Sequence, residues 1–530
     1  MKNRMRPQSL AFLLSAALLA CAAASTPAGA QQKPIDRDLK EVTIRQLQEH
    51  YQRGTYTAQQ VVQWHMDRIE KLNPKYAPLV EVYREEALAK AAALDAQAKS
   101  GAKRGVLWGV PVVIKGNTAI AGKVIGNGWQ GYARGKNALV ATRDATLVRK
   151  FEQAGAVIVG QSNVPDFVAS DTTISSFGGR TGNAYDVWYS PGGSSGGSAV
   201  AVALSMAVVA QGSDTANSIR NPSSNGALVG VLPTQGLVSI AGIHPFDRLL
   251  DNTGPMARTV TDAALALDAL AGTDPQDPRT ASGSVHRITQ SYTAFLKADA
   301  LRGRRLGVPH FILEGEDESV LSEESRKAFM RTVKGLQQAG AEVVFSEEIL
   351  PQTFARVAEA VKTSPYRMQA VARFMKEYAP PQLGSPMAFQ SQTAVGLPVD
   401  LLTDHAKQFE LESDPLAETN YYAPRRALVA LYQDALRKHR LDGFVYPALQ
   451  VPPNDERKAL PDDYPSDGPY SRTAWVNQLG VPAVVVPAGF YDDGLPYGVE
   501  MSADFGKDAE LLGFAYAFEQ ATRARRAPPE

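Results

Sequence analysis

At 530 residues, with 44% apolar and 21% charged side chains, the chain has the composition of a soluble globular protein, which excludes disordered and fibrous architectures. Its 55 basic residues balance 55 acidic ones, so it carries no electrostatic footprint for nucleic acid. Length alone would allow two to four domains, but the pattern of elements along the chain fits one domain with an inserted helical region.

The N-terminus has the plan of a secretory signal peptide over residues 1–30. Lys2, Arg4 and Arg6 form its positive end, Leu10 to Leu19 its apolar stretch, and Ala28-Gly-Ala30 a small-residue cleavage site before Gln31. Leu18-Leu-Ala-Cys21 also resembles a bacterial lipoprotein box, so anchoring through Cys21 is the alternative to a free periplasmic or secreted form. Cys21 is the only cysteine. Cleavage at Ala30 therefore leaves no disulfide, no thiol nucleophile and no thiolate metal site. It also removes three bases and no acid, leaving the mature chain slightly acidic. Beyond the leader the longest apolar stretch, Ala199 to Ala210, is too short to span a bilayer, which takes about 20 residues.

The mature region opens on two helices. Thr43 and Gln46 form a capping box, with Val42 stapling onto Leu47, and Thr57 with Gln60 repeats the device. Val62, His65, Ile69 and Leu72 then fall at helical spacing. A third, Ala-rich helix spans about Arg84 to Lys99. Val110 to Ile114 is a short apolar run bounded by Gly109 and Lys115-Gly116, which suits a strand buried on both faces. Thr146 to Ala154 reads as helix, Ala156 to Val159 as strand, Ser198 to Leu204 as helix and Ala207 to Ala210 as strand. Such alternation implies a sheet with helices on both faces. Residues 270–440 form a less legible helical region with segments at Glu323 to Ala339 and Tyr422 to His439. Strand patterns return at Phe444 to Tyr446 and Ala483 to Val486, and are expected to rejoin the first sheet.

The chemistry concentrates between residues 105 and 260. Pro191-Gly-Gly-Ser194-Ser195-Gly-Gly-Ser198 is flanked by buried-strand and helix patterns, which argues against a flexible linker. It lacks the Lys and Ser/Thr that close a phosphate-binding P-loop. Around Ser194 and Ser195 it satisfies the G-x-S-x-G nucleophile-elbow pattern, which would need a downstream histidine such as His405 or His439. Both of those sit in charged helical segments, where a solvated side chain is the simpler account. An S-x-x-K element at Ser100 to Lys103 lies in a polar loop and has no K-T-G sequel. The seven histidines are scattered without metal-ligand spacing.

A longer set of motifs resembles the amidase-signature family. It comprises Gly109-Val-Pro-Val-Val-Ile-Lys115, the Gly/Ser block, Gly212-Ser-Asp214-Thr-Ala-Asn-Ser218-Ile-Arg220-Asn-Pro222, Leu232 to Ser239, Asp251 to Arg258, and Gly480 to Gly489 with Gly494 to Gly498. The resemblance runs from about residue 38 to 522 and is weakest in the helical region. It implies an α/β/α fold around a large twisted mixed sheet, and a serine amidase working through an acyl-enzyme. By position, Ser218 is the implied nucleophile, Ser194 the bridging serine with a cis peptide, and Lys115 the base. The amides of Thr215, Ala216, Asn217 and Ser218 are the implied oxyanion hole, supported by Ser195, Asp214 and Arg220.

Two features depart from the family pattern: Ala216-Asn217 replaces the usual Gly-Gly, and Gly116 replaces an Asp after the lysine. Asn tolerates a left-handed backbone, so the loop shape is expected to survive. The implied substrate is a small-molecule or short peptide amide, with no cofactor, metal or nucleic acid. Esterase or carbamate cleavage by the same triad, and an inert binding homologue, stay open. Some family members are instead subunits that release ammonia to amidate a charged tRNA, which export argues against. Pocket walls are expected from the helical region, with Tyr366 to Tyr378 and Tyr421-Tyr422 as candidates. The sequence is silent on oligomeric state.

Overall fold

A computed structural model describes residues 34–135, 138–314, 321–393, 396–398, 410–461 and 466–529. The proposed signal peptide, Cys21 and His405 lie outside them. The chain divides into two compact units, 1–40 and 41–530. In the first, Pro34–Leu39 form a short helix. The second holds every other element.

Both predicted capping boxes form. Thr43 N–H donates to Gln46 Oε1 (2.9 Å) and Gln46 N–H returns to Thr43 Oγ1 (3.3 Å), opening the helix Ile44–Arg53. Thr57 and Gln60 do the same for Ala58–Tyr76. The third helix is Arg84–Lys99, as its composition predicts.

Eleven strands make one mixed sheet. In chain order they include β1 (Leu79–Val82), β2 (Pro111–Lys115), β3 (Val157–Ser162), β6 (Val209–Asp214), β7 (Val229–Leu232), β8 (Asn252–Ala257), β9 (Arg305–Gly307), β10 (Glu342–Val344), β11 (Gly443–Pro447), β12 (Ala483–Phe490) and β13 (Pro496–Ser502). The two-residue strands β4 (Ile174–Ser175) and β5 (Gly179–Arg180) form a separate hairpin. The large sheet runs β1-β3-β2-β6-β8-β7-β12-β13-β11-β9-β10. Pairing is parallel from β3 through β2 to β6 and from β11 through β9 to β10, and antiparallel between those blocks. The late strands thus do rejoin the early ones, and helices flank the sheet.

The buried-strand reading of β2 holds along its whole length, since all five residues are buried. The helix Gly196–Ala203 is buried all round, which explains why its sequence shows no amphipathic stripe. Helical segments of the region after residue 270 include Glu323–Gln338, Arg367–Tyr378 and Ala423–His439. Part of that region packs apolar side chains against the early loops: Phe374, Tyr378, Leu383 and Phe389 join Ile125, Tyr132 and Leu139 in one cluster.

Candidate active site

The site is built where two parallel neighbours end. Val112 and Val113 of β2 pair with Val209 and Ala210 of β6, so Lys115 and Asp214 terminate adjacent strands. Open sheets characteristically bind ligands beyond such carboxyl ends. Lys115 has no exposed surface. Its backbone N–H donates to Gln211 Oε1 (2.9 Å), and its Nζ contacts Ser194 Oγ (2.8 Å) and the carbonyl of Ser213 (3.0 Å). The ammonium therefore sits against two neutral oxygens. Burial pushes its pKa down to about 7, and the charges of Asp214 and Asp251 restrain the fall.

Ser194 lies in the turn before the helix Gly196–Ala203. The Gly193–Ser194 peptide is cis, the conformation expected at the bridging serine. Two glycines make the turn possible. Gly192 has φ +78°, a left-handed value that side chains resist, and a Cβ on Gly193 would lie 2.2 Å from the carbonyl of Thr172. Ser195 ties the turn to its surroundings: its N–H donates to the carbonyl of Ser218 (3.2 Å) and its hydroxyl to that of Ser213 (3.2 Å). Lys115 and Ser195 thus share one acceptor.

Ser218 ends a loop that leaves β6 at Asp214, and it is 8% exposed. Arg220 anchors this loop from inside. Its guanidinium, wholly buried, donates to both oxygens of Asp214 (3.1 and 3.2 Å) and to Glu500 Oε1 (2.6 Å). Further partners are the carbonyls of Thr473 and Ala216 and the side chain of Asn477. Burial alone would raise the Asp214 carboxyl, but the Arg220 charge together with hydrogen bonds from Arg220, Ile219 and Asn477 holds the group below the ordinary range. Asp214 also accepts the N–H of Ile219 (2.8 Å), closing the loop around residues 215–218. Thr215 Oγ1 donates to Asp251 Oδ1 (2.5 Å).

The structure thus joins Lys115 to Ser194 directly, and joins Ser195, Asp214 and Arg220 to the loop that carries Ser218. It differs from the sequence reading at Ala216 and Asn217. Neither adopts a left-handed backbone, so the loop places no demand for glycine there. Of the rival motifs, Ser100 and Lys103 are exposed, and His439 ends a helix with Nε2 3.9 Å from Glu348. Among the suggested pocket walls, Phe374 and Tyr378 border a cavity of about 50 Å³ with Ile240 to Ile243 and Arg248, whereas Tyr366 donates to Asp414. Sequence reasoning missed Asn477 and Glu500. Nothing marks Asn477, but an acid in the otherwise apolar strand Pro496–Ser502 implies a buried partner.

A buried lysine at a strand end touching a serine in a turn, beside a loop that carries a second serine, defines a class of hydrolase. The "Amidase" family model matches residues 60–512. A glutamyl-tRNA(Gln) amidotransferase subunit from Carboxydothermus hydrogenoformans is 33% identical over 93% of this chain and all of that one. Among solved structures, a peptide amidase bound to the competitive inhibitor chymostatin is similar at TM-score 0.78 and 31% identity, covering 92% of this chain and 99% of that one. The native peptide amidase of Stenotrophomonas maltophilia gives TM-score 0.76 and 30% identity, covering 92% and 98%. The chain therefore belongs to the amidase-signature family, hydrolases that act on carbon–nitrogen bonds. Among the described residues no helix is long and apolar enough to cross a membrane.

Proposed function

We propose that this chain is an exported serine amidase that hydrolyses a short peptide amide or small carboxylic amide through Ser218, Ser194 and Lys115. The observation that carries the reading is the buried, depressed Lys115 ammonium in contact with Ser194 Oγ (2.8 Å). A serine hydroxyl needs a base to become a nucleophile. Neutral Lys115 would accept a proton from Ser194 as Ser194 takes one from Ser218, while Ser218 Oγ attacks the amide carbon. Amides at residues 215–218 would hold the developing oxyanion, each such donor contributing on the order of 10²–10³ in rate. Collapse returns the proton by the same relay to the leaving nitrogen, so ammonia or an amine departs and an acyl-Ser218 ester remains. Water, deprotonated along the same path, then releases the acid.

The likeness to peptide amidases supports the substrate class. The n-region, apolar stretch and Ala28-Gly-Ala30 support export to the periplasm or medium, with retention through Cys21 the minor alternative. A second reading is favoured by the relatives named as subunits of glutamyl-tRNA(Gln) amidotransferase: the same relay would release ammonia within a larger assembly. A functional leader separates the two, because charged tRNA and ATP are cytosolic.

The test is ammonia release from a panel of peptide amides as a function of pH. Only neutral Lys115 is competent, so kcat/KM is expected to rise with pH through about 7 and level off above it. A rate independent of pH between about 6 and 9, or no turnover of any amide, would contradict the reading.

A further inference from the structure

The loop that carries Ser218 begins where a ladder stops. Asp214 of β6 faces Asn252 of β8 as the last pair of an antiparallel register, so the next residues out, Thr215 and Asp251, stand opposite each other. Their side chains continue the join, with Thr215 Oγ1 donating to Asp251 Oδ1 (2.5 Å). Asp251 is 5% exposed and held from several sides. Its Oδ2 accepts the N–H of Phe246 (3.1 Å), and both its oxygens lie within reach of the N–H of Asp247 (3.2 and 3.1 Å). Its own N–H donates to the carbonyl of Asp247 (2.7 Å), which closes residues 247–251 into a turn. Arg279 Nη1 braces that turn through the carbonyls of Arg248 and Asp251 (3.0 Å each). Asn477 Nδ2 reaches the carbonyls of Leu250 (3.3 Å) and Asp214 (3.0 Å), stitching the turn to the strand end. The Asp251 carboxylate is therefore a fixed point against which the first residue of the Ser218 loop is tied.

We propose that Asp251 is a positioning residue for the oxyanion-binding amides of residues 215–218, acting through the hydroxyl of Thr215. The inference rests on Ser218 being the nucleophile. Other ties act on the middle and far end of the loop. Arg220 takes the carbonyl of Ala216, the N–H of Ser195 takes that of Ser218 (3.2 Å), and Asp214 takes the N–H of Ile219 (2.8 Å). The Thr215–Asp251 bond is the tie at the entry, where the chain leaves the sheet. Oxyanion donors act only when aimed at the place where charge develops, and a misplacement of about 1 Å costs up to roughly 10²-fold in rate. The residue types fit the task. A carboxylate accepts at both oxygens, so it takes the two turn amides and the hydroxyl together. An asparagine in either orientation would aim its NH2 group at a backbone N–H, because both oxygens of Asp251 face one. Threonine donates without a charge of its own, so the tie sets no extra ion beside the developing oxyanion.

The test uses the full-length protein and a fluorophosphonate probe, measuring kinact and KI. Wild type, Thr215→Val, Thr215→Ser, Asp251→Asn and the double variant Thr215→Val/Asp251→Asn are compared, with urea midpoints recorded for each. Rates are read at about pH 9, where Lys115, depressed to about 7, is neutral, so a charge lost at Asp251 cannot act through the lysine. Thr215→Val keeps the shape and deletes the hydroxyl, and should lower kinact on the order of tenfold with KI unchanged. Thr215→Ser, which keeps the hydroxyl, should recover most of that loss. The double variant should be no slower than Asp251→Asn alone, because the tie is already broken there. A Thr215→Val protein that labels at the wild-type rate would overturn the proposal. So would Thr215→Ser as slow as Thr215→Val, a change in KI alone, or losses that multiply in the double variant. If Asp251→Asn does not fold, the comparison of Thr215→Val with Thr215→Ser decides by itself. In each overturning case labelling of Ser218 in the wild type leaves the triad reading standing; absence of that labelling removes both.

Discussion

Residues 105–258 and the helical region beyond 270 are held together by different physics. The first is ordered by polar groups taken out of water and matched one to another: Arg220 with Asp214, Glu500 and Asn477, and Lys115 with Ser194 and Ser213. The second packs by shape. Phe389 meets Tyr132 edge-on with centroids 5.1 Å apart, Phe374 stacks on Tyr378 at 5.3 Å, and His244 lies 4.9 Å from Phe374. Buried polar matching tolerates almost no substitution, because each removal leaves an unpaired group in low dielectric. Apolar packing tolerates any sequence of suitable volume. The comparison explains why motifs concentrate in one region and chemical variety can concentrate in the other.

Removing a charge from the polar region should have the largest effect on stability. Arg220→Met strands Asp214 and Glu500 without their cation, and should cost about 3–5 kcal/mol in urea unfolding as well as Ser218 reactivity. If the variant keeps both, the network does not hold the loop. Phe389→Ala probes the other region. A wholly buried phenyl ring lost from an apolar cluster should cost about 3–5 kcal/mol too, yet the labelling rate per folded molecule should stay within about threefold. A selective collapse of labelling in that variant would show that the helical region reaches into the catalytic step. The smallest effect belongs to neither region: Thr57→Ala, which removes a helix cap, should cost about 1 kcal/mol and leave reactivity unchanged.

What the sequence made legible follows the same division. The capping boxes at Thr43 and Thr57, the helix Arg84–Lys99 and the strand ending in Lys115 are local patterns, and they form where the pattern puts them. The motifs around Ser194 and Ser218 are long because close packing and buried hydrogen bonds dictate nearly every residue. Strands β7 and β8 were less visible, since Val229–Leu232 and Asn252–Ala257 are short and contain Gly or Pro. Asn477 carries no local signal at all. Its role comes from a chain segment brought within reach of Asp214 across 263 residues.

The most direct test of the central claim is to react the mature protein with a fluorophosphonate and map the adduct by mass spectrometry. The account predicts a single adduct on Ser218 that disappears in Lys115→Ala while the fold is retained. An adduct on Ser194 or Ser195 that instead depends on a histidine would contradict it and restore the nucleophile-elbow reading of the Gly/Ser turn.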